Sequence, residues 1–221
     1  MAMTARLMHY GPAIGFIGSA FFMVASVVAA IPYRGTLGEG FSPLNHWVSE
    51  LGELGVSSLA LAFNVGLFVG GIALALFFIA LGRLRQSRLA WVYVPVGLVA
   101  GVSGALVGVF PMNNRGIHIV MALGFFVLGW VAVGAASIDI WRRPEARFSR
   151  WLPALGAITV AVFLMFLSVY IPYLYTGTGS DRPAFAIATV LEWLVLLGIV
   201  GWVLLASLSW WRFARGSRAT A

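Results

Sequence analysis

The chain has 221 residues, of which 61% are hydrophobic and only 10% are charged, and its mean hydropathy is +0.97. Soluble domains carry roughly 25% charged residues and cannot keep so apolar a surface in water, so the composition excludes a soluble domain. The formal charge of +7 comes from arginines spread over several loops rather than from one basic groove, which argues against nucleic-acid binding, and the lack of cysteine excludes disulfides and thiolate chemistry.

Six apolar runs predict six transmembrane helices, since about 20 apolar residues span a bilayer as a helix. The runs are continuous rather than alternating, which favours helices over a barrel. Most connections are short, so we predict an all-α fold in which residues 1–221 form one integral membrane domain. The runs lie near 12–32, 57–81, 91–110, 117–138, 152–175 and 185–210.

The arginines predict an orientation. Eleven lie before the first run, in the second and fourth connections or after the last run, whereas only Arg34, Arg115 and Arg182 lie in the opposite connections. Basic loops stay in the cytoplasm, so we expect a prokaryotic cytoplasmic (inner) membrane protein with both termini inside. The predicted partners are membrane lipids, with no nucleic acid, and the oligomeric state is left open.

Small residues and tryptophans predict how the runs contact one another and the membrane surface. Glycines recur at close-packing intervals, as at Gly97, Gly101 and Gly104, which predicts close contact between helices of the same chain. Tryptophans near the ends of the runs, among them Trp91 and Trp210, predict an interfacial belt.

The connection between the first two runs predicts a short amphipathic helix near 43–54. Ser42 is a good N-cap and Pro43 suits the first helical position. Apolar residues then recur at helical spacing, and polar residues form a second stripe. This helix either lies flat with its carboxylates in water or turns its polar face over the mouth of the bundle. The apolar stripe is Leu44, Trp47, Val48, Leu51 and Leu54, and the polar stripe is His46, Ser49, Glu50 and Glu53.

Further polar residues lie near the outer ends of the predicted helices, at the same depth in the membrane as the predicted amphipathic helix. Glu192 lies about two turns inside the sixth run, among apolar neighbours. A carboxyl in the bilayer costs several kcal/mol unless it is paired, hydrated or protonated, so Glu192 is either a functional group or a neutral residue bonded between helices. The inner halves of the runs contain no clear acid, base or amide, which favours a one-sided pocket over a pore. The other residues of this level are Asn64, Asn113, His118, Asp181 and the tyrosines at 170, 173 and 175.

Three places in the chain carry distinctive motifs: the aromatic-Ser-Pro segment Phe41–Gly52, the Phe110-Pro111 turn with the downstream Gly116-Ile117-His118, and the acid Glu192. These motifs resemble those of a family of six-helix prokaryotic membrane proteins known as domain of unknown function 998. The resemblance implies six helices, and it implies that His46, Ser49, Glu50, His118 and Glu192 belong to one set of related residues. It implies little about activity. Two positions depart from the family pattern, which often has aspartate at 113 and arginine at 193.

Three functional hypotheses follow. The favoured one is binding or handling of a lipid or other amphiphile in an outer-leaflet pocket. One alternative is a membrane-embedded lipid hydrolase or transferase, which lacks a diagnostic motif. The other is a proton-coupled transporter that uses Glu192. The candidate ligand-binding residues are His46, Asn64, Asn113, His118 and Glu192, the candidate catalytic residues are Ser49, Glu50 and Glu192, the candidate metal ligands are His46 and His118, and the cofactor is unknown.

Overall fold

The computed structural model describes the backbone of residues 2–176 and 182–219 and the side chains of residues 9–174 and 182–214; Asp181 and the side chain of Tyr175 lie outside the described residues. Within this part of the chain the fold is all-helical, as predicted. Six long helices are joined by turns and two short 3₁₀ helices, Val48–Gly52 and Met112–Asn114. The long helices are α1 (Ala2–Ala30), α2 (Ala60–Arg85), α3 (Ala90–Val109), α4 (Arg115–Arg142), α5 (Leu152–Thr176) and α6 (Ile187–Ala219).

All six long helices are apolar and long enough to cross a membrane, which confirms the predicted spans. The membrane-crossing part of α1, His9–Ala30, corresponds to the predicted run 12–32, and α3 corresponds to 91–110. The main differences are that α1 begins at Ala2 and that α2, α4 and α6 continue to Arg85, Arg142 and Ala219. Polar residues at the ends of these helices hide the boundaries from a hydropathy pattern.

The six helices form a closed ring. Each packs on the next in sequence, and α6 returns to α1. The predicted close packing is confirmed between α2 and α3, where a Cβ added to Gly101 would lie 2.6 Å from the Ala75 nitrogen and 2.7 Å from the Gly71 carbonyl oxygen. The backbones touch there, which maximises van der Waals contact between helices in lipid.

The ring has two unlike ends. We call the end where α1, α3 and α5 finish the cavity end, and the opposite end the arginine end. Toward the arginine end the centre of the ring is filled by fully buried aromatic side chains, including Phe78 and Trp202, whose rings stack at 6.1 Å. Trp91 is 85% exposed, as expected of a belt residue, but Trp210 is buried against Phe148, so its assignment to the belt was wrong.

The arginine end contains a buried ion pair, contrary to the expectation that the inner halves hold no acid or base. Arg85 of α2 and Asp139 of α4 are both 2% exposed. Arg85 Nε donates to Asp139 Oδ2 at 2.8 Å, and Nη2 donates to the carbonyls of Asp139 and Arg143 at 2.8 and 2.9 Å. The longer α2 and α4 bring these groups together, so Arg85 ties two helices rather than contacting lipid.

The connection between α1 and α2, residues 31–59, is called the α1–α2 segment. It does not contain the single α-helix predicted near 43–54. Turns over 43–45 are followed by the 3₁₀ helix Val48–Gly52, and the extended backbone of Trp47 (φ −64°, ψ 147°) separates the two. The predicted apolar stripe divides accordingly, because Val48 is buried while Leu44 is 49% exposed. The polar His46 and Glu50 are buried, so the polar residues face the interior of the protein.

Candidate functional site

Two cavities occupy the cavity end of the ring. The deep chamber, of about 100 Å³, lies between α1, α2, α3, α4 and α6 and has mainly apolar walls, which include Phe22, Leu67, Phe125 and Leu196. The vestibule, of about 600 Å³, lies between the α1–α2 segment, the start of α4, the end of α5 and the start of α6. Its walls are mixed, with aromatic, acidic and basic side chains.

Both cavities share one wall, and three predicted site residues lie in it. Ser49, His118 and Glu192 line the deep chamber and the vestibule alike, beside the apolar Ala122 and Phe126. Residues from the α1–α2 segment, α4 and α6 therefore meet where an apolar space borders a polar one. We call this shared wall the junction.

Glu192 holds the α1–α2 segment against α6. It is 7% exposed, and its Oε2 accepts a hydrogen bond of 2.7 Å from the backbone N–H of Val48. The first N–H groups of a helix have no partner inside that helix, so a side-chain acceptor satisfies them. Glu192 thus supplies, across 144 residues of sequence, an acceptor for the start of the 3₁₀ helix.

Glu50 is fully engaged by the protein. It accepts hydrogen bonds from the Trp47 N–H at 2.8 Å, from the Tyr33 hydroxyl at 3.3 Å, and from Nη1 and Nη2 of Arg182 at 3.2 and 2.7 Å. Burial, and next the Glu50 carboxylate, raises the pKa of Tyr33, which keeps that hydroxyl a neutral donor. A carboxylate with four donors is a structural anchor, so its geometry does not favour the predicted role of general base.

Arg182 connects the loop before α6 to the α1–α2 segment. Besides Glu50, it donates to the Asn45 carbonyl at 2.8 Å and pairs with Glu39 at 3.3 Å. The hydrogen bond to Glu50, the largest cause, raises the pKa of Arg182, so the guanidinium remains charged. Sequence reasoning missed this role, although the rarity of arginine at this end was a signal.

His118 is bound to the backbone through one of its two ring nitrogens. Its Nδ1 lies 2.9 Å from the Phe110 carbonyl oxygen, which can only accept, so Nδ1 carries the proton. In the neutral ring Nε2 is then an acceptor. Phe110 is the C-cap of α3, and the carbonyls at the end of a helix have no partner inside it, so this carbonyl is available to the histidine. The side chain is buried and lines both cavities.

His46 lies within the α1–α2 segment and lines neither cavity. It is 1% exposed, its ring contacts those of Tyr33 and Phe41, and its Nδ1 lies 2.7 Å from Asn45 Oδ1. Its Nε2 is 3.4 Å from Glu39 Oε1. No group of three or more potential metal ligands occurs among the described residues. His46 therefore packs the segment and does not face the space that His118 lines.

Asn64 and Asn113 fasten the later part of the α1–α2 segment and line neither cavity. Asn64 donates to the Gly52 carbonyl at 2.9 Å, and a Cβ at Gly52 would lie 2.1 Å from Asn64 Oδ1. Asn113 accepts from the Leu54 N–H at 2.8 Å and donates to the Leu54 carbonyl at 2.9 Å. An ionised aspartate at 113 could only accept, so it would make the first of these bonds and lose the second. The asparagine in this chain can make both.

Comparisons with known proteins give one match. The model of the family described as "Protein of unknown function (DUF998)" matches residues 11–209, a stretch that runs from α1 into α6 and contains every residue of the site. No curated protein and no solved structure matches the chain.

Proposed function

Since the chain belongs to this family of membrane proteins, whose description names no activity, we propose a function from its own cavities: it binds an amphiphile, with the polar group in the vestibule and the apolar chain in the deep chamber. The observation that carries the proposal is the junction, where an apolar chamber and a polar vestibule share Ser49, His118 and Glu192. Ligand sites commonly combine apolar walls with a few convergent polar groups.

The arginine distribution supports an orientation for this site. Eleven of the fourteen arginines lie toward the arginine end of the sequence elements, in the connections there or in the helix ends beside those connections and the termini. By the positive-inside rule that end faces the cytoplasm of a prokaryotic inner membrane, and both termini are inside. The vestibule then opens toward the outer leaflet, and membrane lipids are the accessible ligands.

A hydrolase or transferase is the second candidate, because Ser49, His118 and Glu192 lie where the polar and apolar parts of a bound amphiphile would meet. The ester or amide bond of a lipid occupies that position, and a histidine nitrogen that can accept a proton suits acid–base chemistry there. Proton-coupled transport is less favoured, since both cavities lie at one end while aromatic side chains such as Phe78 and Trp202 fill the other.

Binding is tested by filling the deep chamber. Leu196 of α6 lines it and is 9% exposed, whereas Leu197, one residue on, is 46% exposed on the outer face of the ring. Native mass spectrometry of the purified protein with extracted membrane lipids should show a retained lipid in the wild type and in Leu197→Trp, but not in Leu196→Trp. Equal retention by the two variants would overturn the proposal.

Catalysis is tested separately on the same preparation. If the second candidate holds, incubation with lipid esters and amides releases free fatty acid, and Ser49→Ala or His118→Ala abolishes the release while lipid retention persists. Retention without any release in the wild type would leave binding as the function and reject hydrolysis.

A further inference from the structure

The inference rests on the proposed function and concerns the chemistry of the headgroup. Three aromatic side chains form one wall of the vestibule: Trp47 from the α1–α2 segment and Tyr170 and Tyr173 from α5. The Trp47 ring lies 5.6 Å from that of Tyr170 at 69° and 5.5 Å from that of Tyr173 at 58°. Two separate elements thus bring three electron-rich rings together beside an open space.

These rings differ from the aromatic residues that anchor a helix in the bilayer surface. Trp91 and Trp151 are 85% and 64% exposed on the outside of the ring, as belt residues are. Trp47, Tyr170 and Tyr173 are only partly exposed, and all three line the vestibule. An interfacial belt does not require aromatic side chains to gather around a cavity.

Carboxyl groups line the same space. Glu53 and Glu192 both face the vestibule, and neither is paired with an arginine within the described residues. Burial, and next the Glu50 carboxylate, raises the pKa of Glu53, so a negative charge there is disfavoured until a cation approaches. Glu50 itself is occupied by Arg182.

We propose that the vestibule binds the cationic nitrogen of an amphiphile, an ammonium or quaternary ammonium group, against Trp47, Tyr170 and Tyr173, with the carboxyl groups of Glu53 and Glu192 in the same cavity. The face of an aromatic ring attracts a cation, and several rings around a cavity are a means of recognising quaternary ammonium groups. Arg115, on the exposed rim at the start of α4, can contact an anionic group if the head is zwitterionic.

The test compares four dodecyl amphiphiles that differ only in the head: trimethylammonium, phosphocholine, maltoside and sulfate. Their affinities are measured below the micellar concentration by calorimetry on the protein in nanodiscs, with empty nanodiscs subtracted. We expect the trimethylammonium and phosphocholine heads to bind more tightly than the maltoside and sulfate heads. Equal affinity for all four, or preference for sulfate, would overturn the inference.

Substitutions locate the binding to the aromatic wall. Tyr173→Leu should weaken binding of the two cationic heads by roughly 2- to 30-fold and leave maltoside binding unchanged. Tyr173→Phe should retain the affinity because it keeps the ring, and it also controls for folding. Trp91→Leu, on the outside of the ring, should have no effect. A similar loss for every head in Tyr173→Leu would contradict a cation site.

The Leu196→Trp variant separates this inference from the proposed function. If it abolishes binding of every dodecyl amphiphile and the wild type shows no preference among heads, the deep chamber holds the chain and only the headgroup inference fails. If Leu196→Trp binds all four as the wild type does, the proposed function fails.

Discussion

Replacing Arg182 by alanine should release the α1–α2 segment without unfolding the ring. Arg182 is the only described arginine that pairs with Glu50, and it also pairs with Glu39 and donates to the Asn45 carbonyl. The substitution removes all of these contacts at once. The six helices pack on one another without Arg182, so the effect should be local.

The magnitude follows from the burial of the pair. The Glu50 side chain is 7% exposed and that of Arg182 is 26% exposed. Removing one partner of a fully buried ion pair costs about 3–5 kcal/mol, whereas an exposed pair contributes about 0–1 kcal/mol. For this partly buried pair we expect a loss of about 1–3 kcal/mol in the free energy of opening, which corresponds to roughly 5- to 150-fold faster exchange of protected amides.

Hydrogen exchange of the backbone amides over residues 44–53, followed by mass spectrometry, measures this loss. Arg34→Ala is the matched control, since Arg34 is an exposed arginine of the same segment whose side chain donates to the Tyr33 carbonyl. Arg182→Ala should accelerate exchange in the segment and leave the amides of α2 and α3 unchanged. Equal exchange in the two variants would refute the view that Arg182 holds the segment.

Three other substitutions test contacts elsewhere by SDS-unfolding titration. Gly101→Ala should lower the free energy of unfolding by about 1–3 kcal/mol, because its Cβ would lie 2.6 Å from a backbone nitrogen of α2. Gly201→Ala is the control and should cause no such loss, because the space around its Cβ is open. Equal losses in the two variants would contradict the close packing of α2 and α3. Arg85→Ala should lower it by about 3–5 kcal/mol by leaving a buried carboxylate unpaired, and a loss as small as that of the exposed Arg83→Ala would reject the ion pair. Glu192→Leu should lower it by about 1–3 kcal/mol because a buried segment amide loses its acceptor, while Glu192→Gln keeps an acceptor and most of the stability; equal losses would show that charge matters instead.

The spans could be predicted because the information is local. A helix in a bilayer satisfies its own backbone hydrogen bonds, so a continuous apolar run is sufficient to indicate it. The ends of α2 and α4 were harder to predict, because their final turns contain Arg85 and Asp139, which a hydropathy pattern assigns to loops. Their pairing across 54 residues makes both charged side chains compatible with burial between the helices.

The α1–α2 segment shows where local reasoning fails. Its residues have the spacing of an amphipathic α-helix, yet the carboxylates of Glu192 and Glu50 accept from the amides of Val48 and Trp47 and start a 3₁₀ helix there. Glu192 was identified because a lone acid in an apolar run is conspicuous. Arg182 was used only to predict the orientation, because its partner Glu50 is 132 residues away and a single sequence does not pair the two residues.

The residues whose hydrogen bonds hold the α1–α2 segment in place fall into two groups, and the two groups differ in whether they line the vestibule. Glu192 and Arg182, on the α6 side, line the vestibule, whereas Asn64 and Asn113, on the side of α2 and α4, do not. A polar group that enters the vestibule competes with the hydrogen bonds of the first pair and leaves the second pair intact. We therefore expect the segment to open from its α6 side and to turn about its fastening at Gly52 and Leu54, where both asparagines bond to the backbone. Glu192 lines the junction and also accepts the Val48 hydrogen bond. If the vestibule binds a ligand as proposed, we therefore expect binding to speed hydrogen exchange at the Val48 amide.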